Sequence, residues 1–171
     1  MKLIGACLVM TGSMGLAAMR IKKDRKRKEL LRQLQNLFGL LHSEIQYRNL
    51  TITEAFLQIS RRIDSYLSLF LQRVIEEWRQ KEGKLIREIW SNWVQAYFAH
   101  SYLTKEDIVW IEKLGEGLGS FDRKEQIRQI EYLMDYLKQE YELSEKKVRE
   151  SEKLYRTMGL LIGIFIIVLL F

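Results

Sequence analysis

The chain is expected to be all-α: a membrane-anchored helical bundle in which two long antiparallel helices continue into N- and C-terminal transmembrane segments. Three observations predict this. Proline is absent from all 171 residues, where ordinary usage of about 5% would give roughly eight. Five of the ten glycines (Gly5, Gly12, Gly15, Gly159 and Gly163) fall in two apolar ends, so residues 20–156 keep only five. Within that stretch apolar residues recur at steps of three and four, with few interruptions for strands to turn on.

The first element is an apolar helix. Residues 3–19 carry no charge, and seventeen residues is the lower edge of a membrane-spanning length. A cleaved signal peptide would need a stronger start than Lys2, and the cations just downstream would oppose translocation. The "IGAC" at Ile4–Cys7 is too close to the start for a lipoprotein signal. A buried helix of a soluble domain needs no basic neighbour. An uncleaved anchor over 1–19 is the expectation.

The basic neighbour is compact. Arg20, Lys22, Lys23, Arg25, Lys26, Arg27 and Lys28 fill seven of nine positions, with Asp24 among them. Setting these aside from the 28 basic and 22 acidic residues leaves 21 of each sign. The net charge of +6 therefore belongs to one collar on an otherwise neutral chain. Nucleic-acid modules spread cations over a face and interleave aromatic platforms; the collar holds no aromatic residue. Cations beside an apolar span instead hold that side in the cytosol and meet anionic lipid. A membrane-tethered nucleic-acid-binding protein is the alternative reading, and no nucleic acid is the expectation.

The remaining elements follow in order. Leu30, Leu34, Leu37, Phe38, Leu41 and Ile45 make one stripe that extends the first helix to about Asn49. Thr51 with Glu54 forms a capping box for a helix ending near Ile63. Residues 66–80 carry Leu67, Phe70, Val74 and Trp78, with Gly83 as a stop, and 85–98 carry Ile89, Trp93 and Tyr97. Thr104 with Asp107 caps a further helix, expected to end among Gly115, Gly117 and Gly119 through a left-handed glycine cap. From Asp122, with Glu125 three residues on, a strict heptad runs through Ile127, Ile130, Met134, Leu137, Tyr141, Ser144, Val148, Ser151, Tyr155 and Met158. It leads into residues 158–171, charge-free to the last position. That run covers only about 21 Å of a ~30 Å core, a deficit that Arg156 can reduce by snorkelling. The domains are therefore 1–19, 20–156 and 157–171. Gly159 and Gly163 make a GxxxG that would let a second membrane helix approach closely.

Chemistry is sparse. His42 and His100 have no second His or Cys within ten residues, and Cys7 is the sole cysteine; metal sites draw on clusters of such groups. The "LGEGLGSF" glycines lack the strand and the Lys-Ser/Thr of a phosphate loop. No enzyme, cofactor or metal is expected.

"SEIQY" (Ser43–Tyr47), "TEAF" (Thr53–Phe56), Trp90, "KLGEGLGSFDRKEQ" (Lys113–Gln126) and the closing "MGLLIGIFIIVLLF" together resemble the stage III sporulation protein AB family. The most specific piece is LG-x-x-LG-x-x-D, here Leu114-Gly115, Leu118-Gly119 and Asp122. Thr51 stands where the family has proline. The resemblance implies a structural component of a secretion-like channel, placed in the mother-cell membrane that engulfs the forespore. It also implies a cytosolic domain similar to the helical domain of type II secretion and type IV pilus platform proteins. The implied partners are membrane lipid, a cytosolic secretion-type ATPase (stage III sporulation protein AA) and other channel components, with homo-oligomers open.

Two arms of nearly equal length bring their far ends to one height. Glu44, Tyr47, Arg48 and Glu54 are expected there beside Gly119, Asp122 and Arg123, as a polar tip that docks the ATPase. Reversing the charge of Arg48 and Arg123 is expected to weaken docking and leave the fold unchanged. Caps and turn residues that close the bundle are the plainer account of the same positions.

Overall fold

The computed structural model describes the backbone of residues 2–63, 66–80, 85–120 and 122–170, and side chains within 18–161 outside those gaps and apart from 156 and 160. Its six helices are α1 (Lys2–Arg48), α2 (Ile52–Arg62), α3 (Tyr66–Gln80), α4 (Ile86–Phe98), α5 (Lys105–Leu118) and α6 (Arg123–Leu170), with no strand among the described residues. The protein is all-α. Two compact units divide it, one of Met1–Lys28 with Glu142–Phe171, the other of Glu29–Tyr141.

Local chemistry sets the ends. Both capping boxes form: Thr51 accepts from the Glu54 N–H, Thr104 from the Asp107 N–H, and each carboxylate accepts in return from the backbone N–H of its cap. α1 stops at Asn49, whose φ of 58° is left-handed; asparagine tolerates this conformation better than most side chains. Asp122 accepts from the Lys124 N–H at 2.9 Å and opens α6. Gly83, read as the stop of α3, lies outside the described residues.

In the larger unit one core draws on all six helices. The α1 stripe is buried at Leu31, Leu34, Leu37, Phe38, Leu41 and Ile45. It passes through Leu31 and leaves Leu30 partly buried at its edge. Leu31 stands three residues before Leu34 and seven before Phe38, and both spacings keep it on the inward face.

Trp90 is the hub. It is fully buried, stacks on Phe56 at 5.6 Å, and meets the rings of Phe70 at 5.2 Å and Phe38 at 6.5 Å edge-on. Its indole N–H donates to the Ile111 carbonyl at 2.8 Å.

The first two glycines of "LGEGLG" act otherwise than as stops. Gly115 and Gly117 lie inside α5. A Cβ at Gly115 would sit 2.7 Å from Trp90 Cδ1, and one at Gly117 would sit 2.6 Å from Gln129 Cγ. These glycines exist for close approach. Gly119 does end the helix, but at a right-handed φ of −82°, so the left-handed cap expected from sequence is absent.

In the smaller unit, Arg25 pairs with Glu152 at 2.7 Å and Lys28 with Glu145 at 3.9 Å. Ser144, Val148 and Arg27 are buried there. The heptad is thus an inward face as far as Val148, and Met158 at 52% exposure marks where the described part of that face opens. No helix among the described residues is long and apolar enough to cross a membrane. The side chains of 1–17 and 162–171, which make up most of the two expected spans, lie outside the described residues.

Candidate functional site

The end of α1 and the start of α6 meet in the larger unit, and Arg123 makes the junction. Its guanidinium donates to the Ile45 carbonyl, to the Gln46 carbonyl at 2.8 Å and to Asn49 Oδ1. The last carbonyls of a helix lack intrahelical donors and carry its negative pole. A planar cation with several fixed N–H groups suits that end better than an ammonium. The Nε of Arg123 is buried without a partner.

Beside it lies a buried carboxylate. Glu44 is 3% exposed and accepts from Arg62 at 2.6 Å and from Arg48 at 3.2 Å. Gln58 Oε1 accepts from Arg48 at 3.0 Å and Arg62 at 3.4 Å. Two guanidinium groups around one buried carboxylate join α2 to α1. Sequence alone does not single out Arg62. Nothing local marks it, because its partner lies eighteen residues back on another helix.

The tip residues therefore divide. Arg48 is exposed and bonds Glu44, while half-buried Arg123 bonds the end of α1, so both charges also serve the fold. Glu54 is committed to Thr51, whose backbone and hydroxyl bonds hold its carboxyl below the usual range. Gly119 packs near Ile86 of α4. Asp122 is exposed, and Tyr47 is 73% exposed. Arg48, Glu54 and Gly119 are exposed as well.

The collar is partly engaged within the fold. Arg25 and Lys28 are paired, and Arg27 is 8% exposed. Arg20, Lys22, Lys23 and Lys26 are exposed. Gly159 has no atom within 4 Å of a built Cβ, and the surroundings of Gly163 lie outside the described residues.

Asp107 is a second polar centre. Fully buried, it accepts from Thr104 N–H at 2.7 Å and from the Tyr136 hydroxyl at 2.9 Å. Tyr136 stacks on Trp110 at 4.8 Å, with the Lys113 ammonium 5.0 Å from that indole. Burial, and then the adjacent Asp107 charge, push the Tyr136 phenol far above its ordinary value. Its neutral form is favoured in the fold, so this stabilisation is complete below the unfolded value near pH 10 and fades as pH rises through the folded value. Ultraviolet titration should show a late-ionising phenol that vanishes in Tyr136→Phe. A late phase that persists unchanged in Tyr136→Phe would disprove the pairing.

His42 Nε2 lies 3.0 Å from Glu131, and His100 is exposed. Cys7 is outside the described side chains. Among the described residues no three His, Cys, Asp or Glu side chains group to hold a metal ion.

An all-helical body with a tied tip and a basic collar defines a structural helical-bundle protein. The stage III sporulation protein AB family model matches residues 2–171, and the chain belongs to that family. Stage III sporulation protein AB of Bacillus subtilis (strain 168) is 24% identical over 172 residues, covering 99% of each chain. A solved structure of a stage III sporulation protein AB matches with a TM-score of 0.64 and 20% identity, over 72% of this chain and 97% of that one. At that identity the structural match speaks for the fold.

Proposed function

We propose that the chain is a structural platform component of a sporulation-specific, secretion-like channel between mother cell and forespore. Residues 1–19 and 157–171 anchor it in the membrane, and 20–156 face the cytosol, where a secretion-type ATPase docks. The observation that carries this reading is the order of the α1–α6 bonds in the larger unit. Gln35 bonds Leu137, His42 bonds Glu131 and Arg123 bonds Gln46. Sequence numbers rise on one helix as they fall on the other, as in antiparallel arms. Residues 29 and 141, where the chain leaves that unit, therefore lie at one end of it.

The membrane half is tested with reporter fusions. Fusions at both termini should read extracytoplasmic and an insertion near Gly83 cytosolic; a Gly83 insertion reading outside refutes the topology. The docking half is tested at Tyr47, the tip's most exposed large side chain. Tyr47→Ala in sporulating cells should lower co-purification of the ATPase, while stability stays within about 0.5 kcal/mol of the parent, as for other surface changes. Undiminished co-purification removes the tip from the docking surface.

A further inference from the structure

On α1, the residues Ala18, Ile21, Lys22 and Arg25 recur at steps of three, one and three, and so share one helix face. With Glu152 and Tyr155 of α6 they line a groove of about 640 Å³ within the smaller unit. That is the size of a site for a small organic molecule. The lining is graded. Arg25 and Glu152 close one part as an ion pair at 2.7 Å, and Ala18, Ile21 and Tyr155 supply an apolar part.

Lys22 is the unusual member. The cations of this face, Lys28, Arg25 and Lys22, step along α1 in threes. Lys28 meets Glu145 and Arg25 meets Glu152. Beside Lys22 the α6 wall supplies Tyr155 and no glutamate other than Glu152, which pairs with Arg25. Among the described residues Lys22 has no acidic partner. The groove therefore holds one uncompensated positive charge against apolar walls, in the part of the chain where both helices run on into charge-free sequence.

We propose that this groove seats an anionic phospholipid, with its headgroup phosphate on Lys22 and the first part of its acyl chains along Ala18, Ile21 and Tyr155. A free phosphate would use Lys22 but leave the apolar walls idle, and a zwitterionic lipid would bring a cation back to a site that already has one. The proposal rests on the membrane reading above and gives that contact a defined place. It separates Lys22 from its neighbours: a diffuse basic collar would treat Lys22 and Lys23 alike, but only Lys22 lines the groove.

The test uses the full chain, purified in neutral detergent with phosphatidylglycerol or phosphatidylcholine added, and counts retained lipid by native mass spectrometry. Phosphatidylglycerol should be retained by the parent and by Lys23→Glu, and reduced about fivefold or more by Lys22→Glu, since each cation near an anionic lipid surface contributes a factor of that order. Glycerol phosphate, the headgroup chemistry without chains, should not displace it. Equal losses in the two variants, equal retention of phosphatidylcholine, or displacement by glycerol phosphate would each overturn the site. Circular dichroism of both variants guards against misfolding, and Lys22→Gln gives a milder second readout. Alkaline extraction of cell membranes separates the two levels. A parent chain that extracts refutes the membrane reading and the site with it, whereas one that stays with the membrane but fails the lipid count refutes the site alone.

Discussion

Replacing Trp90 with alanine is expected to cost about 3–5 kcal/mol, the range for deleting a large aromatic from a core. Trp90 is fully buried and touches rings from three other helices, at Phe38, Phe56 and Phe70. Stability of a domain is about 5–15 kcal/mol in all, so this one change removes a large share. Denaturant melts followed by circular dichroism measure it. Trp90→Phe should recover most of the loss, keeping an aromatic ring in place but giving up the bond to the Ile111 carbonyl, worth about 1 kcal/mol. The neighbouring glycine offers a check on the geometry. Gly115→Ala should destabilise the parent, where its Cβ meets the indole at 2.7 Å, and be tolerated when residue 90 is alanine. A Trp90→Ala loss below about 1 kcal/mol, the cost of an average substitution, would show that the core does not converge on this indole.

Arg123→Ala is expected to cost about 2–4 kcal/mol. Its guanidinium serves the Ile45 and Gln46 carbonyls and the Asn49 side chain, and hydrogen bonds to charged groups contribute about 1.5–3 kcal/mol each before losses in additivity. Favourable charge at a helix C-terminus adds about 0.3–1 kcal/mol. Arg123→Lys should recover little, since one ammonium cannot span three acceptors. The neighbouring Lys124 is exposed, and Lys124→Ala should stay within about 0.5 kcal/mol of the parent. If Arg123→Ala melts with the parent, Arg123 is a surface group after all and docking becomes its best explanation.

What the sequence disclosed was local. Thr51 and Thr104 announced their capping boxes because cap and carboxylate stand three residues apart, and the helix spans follow from apolar steps of three and four. What it hid was contact at a distance. Gly115 reads as a breaker until Trp90, from the preceding helix, is found against it. Asp107 reads as a cap, and its second task, accepting from Tyr136, depends on a residue 29 positions on. Arg123 looks no different from Arg128 in sequence. Only the register of α1 against α6 makes one a junction and the other a partner of nearby Glu125. The collar was legible as a run of charge, but the pairing of Arg25 and Lys28 was not, because their glutamates lie over a hundred residues away.

The Arg123 junction also sets a timetable for synthesis. Asn49 and Arg123 are 74 residues apart, and a ribosome adding about 5–20 residues per second needs roughly 4–15 seconds to cover that distance. The α1 stripe from Leu31 to Ile45 emerges at the start of this interval, and its α6 partner at the end. α2, α3, α4 and α5 appear between, and they can pair with sequence neighbours as they emerge, with little loop to close. For those seconds α1 is a nascent helix with an uncovered apolar face. Its interim company, whether chaperone, membrane surface or the half-built core of α2 to α5, decides whether the last helix finds its place open.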